Sequence, residues 1–278
     1  MNLNFLQSII MGFVSGLTQV LPVSAQAHRT ILRTLFGAAS EDVFSRLLIH
    51  IACIIALAVY FRQDITKLRL ARELMKIPPK RRRRTLDSGD AGMVKLLRSA
   101  TIILVICKLF TPWLDFIGSR LNYLPASLAV SGCLLMIPAL TRSGNMNSRN
   151  MPRMYGFLMG FGAGMSVVPG ISQVGASMSL GQWRGADRHF ALKFACLLLI
   201  PGLGCHIAFD LIQIVMGGAA VFSGISVLWS LLGAIAAGIG CYCAVKIMYV
   251  LAEWTGFSCF AYYNWGAALL CFVLFLML

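Results

Sequence analysis

The sequence predicts an all-α integral membrane protein, with six transmembrane helices plus two re-entrant helical hairpins arranged as an inverted-topology repeat. Three observations point there. The 278 residues are 58% hydrophobic and only 12% charged, about half the ~25% charged content of soluble domains. A chain with so few charges cannot cover its surface against water, so lipid is expected to solvate much of it. Six long apolar stretches punctuate the chain, and two further apolar segments, half a chain apart, are broken by Gly, Pro, Ser and Thr.

The long stretches run over roughly 43–62, 97–117, 121–141, 188–214, 222–250 and 258–278. Each is near the ~20 residues that a helix needs to cross about 30 Å of hydrocarbon. The broken segments run over about 4–36 and 154–182. Neither reads as one clean spanning helix. The whole of 1–278 is expected to be a single membrane domain, with a first repeat half over about 4–141, a second over about 154–278 and a basic cytoplasmic loop over 63–96.

Charge orients these elements. The net charge is +14, from 24 Lys and Arg against 10 Asp and Glu. Twelve of the basic residues lie between Arg62 and Arg98, including the run Lys80, Arg81, Arg82, Arg83 and Arg84. Basic residues between spans mark the cytoplasmic side, and each can gain roughly 1 kcal/mol near anionic headgroups. The loop with Arg142, Arg149 and Arg153 should then also be cytoplasmic. The chain ends fall outside, provided that each broken segment enters and leaves on one face. No interleaved aromatics or recognisable module supports a nucleic-acid partner. The nine cysteines show no CxxC pair or His/Cys ligand spacing and read as small buried hydrophobes, neither disulfides nor metal ligands. No cleavable signal is expected, since the N-terminal stretch lacks a basic region and a small-residue cleavage site.

The two broken segments resemble each other. MGFVSGLTQVLPVS (11–24) and MGFGAGMSVVPGIS (159–172) match without gaps at six of 14 positions, at an offset of 148. By the charge topology the first enters from outside and the second from inside, the pattern of inverted repeats whose interrupted segments meet near the midplane. Breaking a helix in hydrocarbon frees backbone groups at several kcal/mol each, so breaks persist only where buried or facing a wet cavity. Free N–H groups at a half-helix start attract anions. Ser24, Gln26, Ser172 and Gln173 add hydrogen-bonding side chains, and Gly170 and Gly175 permit close backbone approach. Such opposed ends suit a phosphate or carboxylate; the plainer alternative is helix packing through small residues.

GLTQVLPVSAQAH (16–28) and PGISQVGASMSLG (169–181) resemble the two signature motifs of the undecaprenyl-diphosphate phosphatase family (BacA/UppP), which read approximately EGLTEFLPVSSTGH and PGFSRSGATISGG. RHFALKFACLLLIPG (188–202) is similar to the stretch that follows the second motif. The resemblance implies a bacterial plasma-membrane protein that acts on a polyprenyl diphosphate and recycles the lipid carrier of cell-wall synthesis. A homodimer is compatible with it. It also implies catalytic roles for Ser24 and His28 and a binding role for Ser172. The departures are chemical: the family's two glutamates fall on Ser15 and Gln19, its second motif-one serine on Ala25, its arginine on Gln173 and the following serine on Val174.

These replacements remove what phosphoryl transfer uses. An arginine fork binds phosphate bidentately, and glutamine has neither charge nor fork. Neutralisation of the equatorial oxygens is lost with it. Without motif acids, a divalent cation is not expected, nor any other cofactor. Candidate binding residues are Ser15, Gln19, Gln26, Arg29, Ser172, Gln173, Gly175 and Ser177; Arg29 could replace the lost cation or simply snorkel. His28 is the surviving acid–base group, against the alternative of a hydrogen-bonded structural histidine. Glu41, Asp42, Asp187 and Asp210 are the remaining acids near the motifs, with Asp210 inside a span. His50, His189 and His206 are expected in packing or interface roles. The leading expectation is a protein that binds a polyprenyl phosphate or diphosphate and translocates or senses it with little hydrolysis. An active diphosphatase with relocated groups, or a partner-binding membrane protein with a relic site, are the alternatives.

Overall fold

A computed structural model describes residues 4–38, 42–81, 85–111, 123–141, 144–217, 224–254 and 257–277. Among them the regular structure is helical, apart from one isolated parallel bridge between Met146 and Ala186. In chain order the helices are α1 (Phe5–Val20), α2 (Ala25–Leu35), α3 (Val43–Tyr60), α4 (Arg62–Lys76), α5 (Ser88–Lys108) and α6 (Leu124–Leu140). They continue as α7 (Arg153–Gly164), α8 (Gln173–Trp183), α9 (Arg188–Gly217), α10 (Gly224–Trp254) and α11 (Cys259–Met277).

Four of these contain stretches long and apolar enough to cross a membrane: Val43–Tyr60, Arg188–Met216, Val227–Glu253 and Cys259–Leu276. The protein is therefore a multi-pass membrane protein. α1 and α6 are apolar but shorter. The stretch expected over 97–117 corresponds to α5, which starts earlier, at Ser88; residues 112–117 lie outside the described residues, as do Glu41, Arg82, Arg83, Arg84 and Arg142. Large apolar side chains such as Ile55, Val59, Ile235 and Leu276 are exposed on the outer faces, as a lipid-facing surface requires. α9 is the central element: Leu192, Phe194, Ala195, Cys196, Leu198 and Leu199 are all buried, as expected of a helix apolar all round.

The stretch read as a basic loop, 63–96, instead holds α4 and the first turns of α5. RQDITKLRLARELMK is rich in good helix formers. It buries Ala71 and Leu74, with Asp64 in the first turn and Lys76 in the last, the favourable order for the helix dipole.

Packing follows the glycines. α1 lies along α10, and a Cβ on Gly12 or Gly16 would sit 1.9 Å from the carbonyl oxygen of Gly233 or Ala237. α7 lies along α5, where a Cβ on Gly160 would meet the Ala100 carbonyl oxygen at 2.4 Å. α3 packs on α9 and α10, α9 on α3 and α5, and α6 on α11. Small residues that let backbones touch are the usual adhesive between helices in lipid, where apolar burial itself gives little drive. The start of α5, the 144–153 stretch, α4 and the start of α9 gather at one end of the bundle, tied by Asp87–Arg149, Asp64–Lys193 and the Met146–Ala186 bridge.

Both broken segments are broken helices. α1 stops before Pro22, whose ring disfavours a helical residue ahead of it, and Leu21 is extended (φ −57°, ψ 148°). α7 runs into a 3₁₀ turn (Met165–Val167), then Pro169 and Gly170, before α8 begins. Gly170 has φ +104°, and a Cβ there would also strike the Ser127 hydroxyl at 2.0 Å, so that position needs glycine.

Candidate functional site

Each break restarts as a helix capped by serine. Ser24 Oγ accepts from the Ala27 N–H at 3.3 Å, and Ser172 Oγ accepts from the Gly175 N–H at 3.1 Å. Each serine also reaches the other break. The Gly170 N–H donates to Ser24 Oγ at 3.2 Å, and Ser172 Oγ donates to the Leu21 carbonyl at 3.4 Å. The hydroxyls thereby bind backbone groups that the breaks release, as hydrocarbon demands. The two segments are thus joined at their breaks, with two helix starts facing one small cavity.

That cavity is lined by Gln19, Ser24, Gln26, Arg29, Ser172 and Gln173 from the two motifs. Gln173 also donates to the Leu198 carbonyl at 3.3 Å. The remaining motif candidates lie elsewhere. Ser15 and Ser177 are fully buried, and neither hydroxyl has a hydrogen-bond partner among the described residues. A Cβ on Gly175 would meet Pro22 and Leu135 at 3.1 and 3.2 Å, so this glycine serves packing between the breaks. His28 faces α11: its Nδ1 lies 2.7 Å from the Ser24 carbonyl and its Nε2 2.6 Å from the Tyr263 hydroxyl. A carbonyl only accepts, so Nδ1 carries the proton and Nε2 accepts from Tyr263. Both ring nitrogens are engaged, and His28 does not line the cavity.

The opposite wall was not anticipated. Lys108, His50 and His206 line the cavity, which corrects the packing roles expected of the two histidines. Lys108 sits at the far end of α5 and is 1% exposed, and its Nζ lies 2.9 Å from His206 Nε2. The rings of His206 and His50 stack at 5.2 Å. His50 Nδ1 lies 2.9 Å from Asp210 Oδ2, and Arg46 Nε donates to Asp210 Oδ1 at 2.7 Å. The result is a string from Arg46 through Asp210, His50 and His206 to Lys108, contributed by α3, α5 and α9. Lys108 and His206 fall within apolar stretches, and an ionisable residue in a span is a functional candidate by default. That signal was readable for Lys108; what brings it to the breaks is tertiary packing.

The other acids have structural work. Asp42 caps α3 by accepting from the Phe44 and Ser45 N–H groups, and Asp187 accepts from the Phe190 N–H at the start of α9. His189 is exposed at the other end of the bundle, beside Asp64 and Lys193. Divalent Mg²⁺ or Ca²⁺ takes oxygen ligands, chiefly carboxylates. The described wall offers hydroxyls, amides, imidazoles and two cations, but no carboxylate, and no group of three or more His, Cys, Asp or Glu in metal-binding range occurs among the described residues. This donor set is of the kind that binds an anion.

Known proteins agree with the motif resemblance. Residues 8–270 match the family model described as Bacitracin resistance protein BacA. A protein of Methanobrevibacter smithii named undecaprenyl-diphosphatase is 28% identical over 277 residues, covering 98% of both chains. Proteins of the same name from Carboxydothermus hydrogenoformans and Desulfosudis oleivorans are 28% and 27% identical, covering 95% and 97% of this chain and 94% and 95% of theirs. The family match over nearly the whole chain and the two joined motif breaks lead to one conclusion: this chain belongs to the BacA family.

Proposed function

We propose that the chain binds the phosphorylated head of a polyprenyl phosphate or diphosphate at the two breaks and holds or translocates it with little or no hydrolysis. The observation that carries this is the composition of the cavity wall: two serine-capped helix starts, three glutamines and Arg29, with no carboxylate among its described residues. Helix starts and a guanidinium bind phosphate oxygens. Hydrolysis also needs a group to activate water, and Gln19 does not supply one.

The packing supports the reading as an inverted repeat. α1 with α10 and α7 with α5 are counterpart pairs in the two halves, as are α3 with α10 and α9 with α5. α3 with α9 and α6 with α11 exchange into themselves. Such an exchange of pairs is what a pseudo-twofold relation between the halves would produce, and such repeats move substrates by rocking about a central site. Lys108 lies about 30 Å along α5 from Ser88, at a 1.5 Å rise per residue. With the basic end cytoplasmic, the cavity lies toward the outer leaflet.

One observation favours retained phosphatase activity. Asp210 binds His50 Nδ1 and leaves Nε2 as an acceptor at the cavity, the arrangement of a general base. Purified protein incubated with a polyprenyl diphosphate separates the two readings. Saturable binding without phosphate release is expected. Turnover lost in His50→Gln would replace the first reading with the second.

A further inference from the structure

We propose that anion binding at the breaks is coupled to proton uptake by the stacked His50–His206 pair, with Lys108 as the phosphate ligand that links them. This rests on the lipid-phosphate reading above and adds a ligand and a co-bound proton to it. Lys108 and His206 line the same cavity as Ser24 and Ser172. Lys108 Nζ donates to His206 Nε2, so that nitrogen has no proton while the contact lasts. His50 gives its Nδ1–H to Asp210. Among the described residues, the charged groups around the two rings include Arg29 from α2, Arg46 from α3, Lys108 from α5 and Asp210 from α9.

Among the described residues the cavity wall itself carries Lys108 and Arg29 and no carboxylate, and Lys108 occupies His206 Nε2. A phosphate dianion reverses the balance. Lys108 turns its N–H from His206 to a phosphate oxygen, His206 Nε2 takes up a proton that the buffer acid releases to the solvent, and the new N–H donates to the phosphate. One N–H bond forms per anion bound, and Asp210 supports the imidazolium through His50. Linkage is reciprocal, so protonation raises anion affinity by the factor by which the anion raises proton affinity. Where the phosphate is dianionic, affinity therefore falls as pH rises through the histidine range, and it also falls below about pH 6 as the phosphate takes up its own proton.

Calorimetric titration of the full chain in detergent, in buffers of different ionisation enthalpy, counts the protons. The ligands are farnesyl monophosphate and inorganic phosphate, at about pH 7.5, where a monoester with its second ionisation near 6 is mostly dianionic. Uptake of about one proton per ligand is expected. Binding of both ligands marks the phosphate group as the recognised element, and binding of farnesyl phosphate alone adds the lipid chain. His206→Gln should abolish the uptake and weaken binding by roughly fivefold or more. Lys108→Met should lose binding, and Lys108→Arg should retain it. Saturable binding with no proton uptake overturns the coupling and leaves the lipid-phosphate reading standing. Uptake unchanged in both His206→Gln and His50→Gln overturns it too, because the proton is then on the phosphate. Failure of both ligands to bind overturns both.

Discussion

Ionic groups occupy both ends of the helical bundle, and the two ends use them differently. At the basic end, Asp87–Arg149 and Lys76–Glu73 are exposed pairs, and Asp64–Lys193 is about one-third exposed. Water solvates each partner, so these pairs orient helices at little cost and little gain. At the breaks, Asp210, His50 and Lys108 are each 2% exposed or less. Charges buried in that way are expensive unless paired and hydrogen-bonded. The same residue types are topology markers at one end and, at the other, groups whose presence calls for a function. Net charge alone would have directed attention to the wrong end, since most of the basic residues lie there.

The largest test of this contrast is Asp210→Ala. It removes an acceptor from the half-buried Arg46 and the acceptor of the buried His50. Breaking a buried pair on one side costs about 3–5 kcal/mol. Thermal unfolding in detergent should show a large fall in the midpoint. A midpoint within a degree or two of the parent would mean that water reaches this string, and the contrast between the ends would fail.

Lys193→Met should have a much smaller effect. The Lys193–Asp64 pair is 36% and 28% exposed at its side chains, and such pairs contribute about 0–1 kcal/mol before solvent screening is considered. The same unfolding assay, run at low and high salt, should show a shift that shrinks further with salt. A loss comparable to that of Asp210→Ala would place a buried charge site at both ends.

Local signals revealed the frame, and long-range contacts hid the rest. Pro22, Pro169 and Gly170 marked both breaks, and Ser24 and Ser172 marked the helix starts beyond them, because caps and breakers act within a few residues. Two of the six matched repeat positions, Gly12/Gly160 and Gly16/Gly164, proved less informative about chemistry than their identity suggested. Gly12, Gly16 and Gly160 press on backbone of α10 or α5, and Gly164 would meet Cys107, so these identities record helix packing. Motif membership misplaced Ser15, Ser177 and Gly175 for a related reason: along a helix, neighbours in a motif point to different faces. Lys108, His50 and His206 come from three separate helices, and only their packing onto the breaks joins them.

The smallest effect belongs to Asp87, at the solvated end. Its carboxylate accepts from the Gly89 and Asp90 N–H groups and pairs with Arg149. These bonds, the Gly89 N–H first, hold its carboxyl below the ordinary aspartate range. A depressed folded value stabilises the protein above the unfolded value, and that stability is lost as pH falls through the folded one. Asp87→Asn keeps a capping side chain and removes only the charge. The midpoint of the variant should therefore lie slightly below that of the parent from neutral pH down to the ordinary carboxylate range near 4. The two curves should merge as pH falls further, when Asp87 itself is protonated. A gap that persists into that acid range would assign the contribution to hydrogen-bond geometry. The exposed charge would then contribute nothing, sharpening the difference from Asp210, whose charge holds a buried histidine and a half-buried arginine.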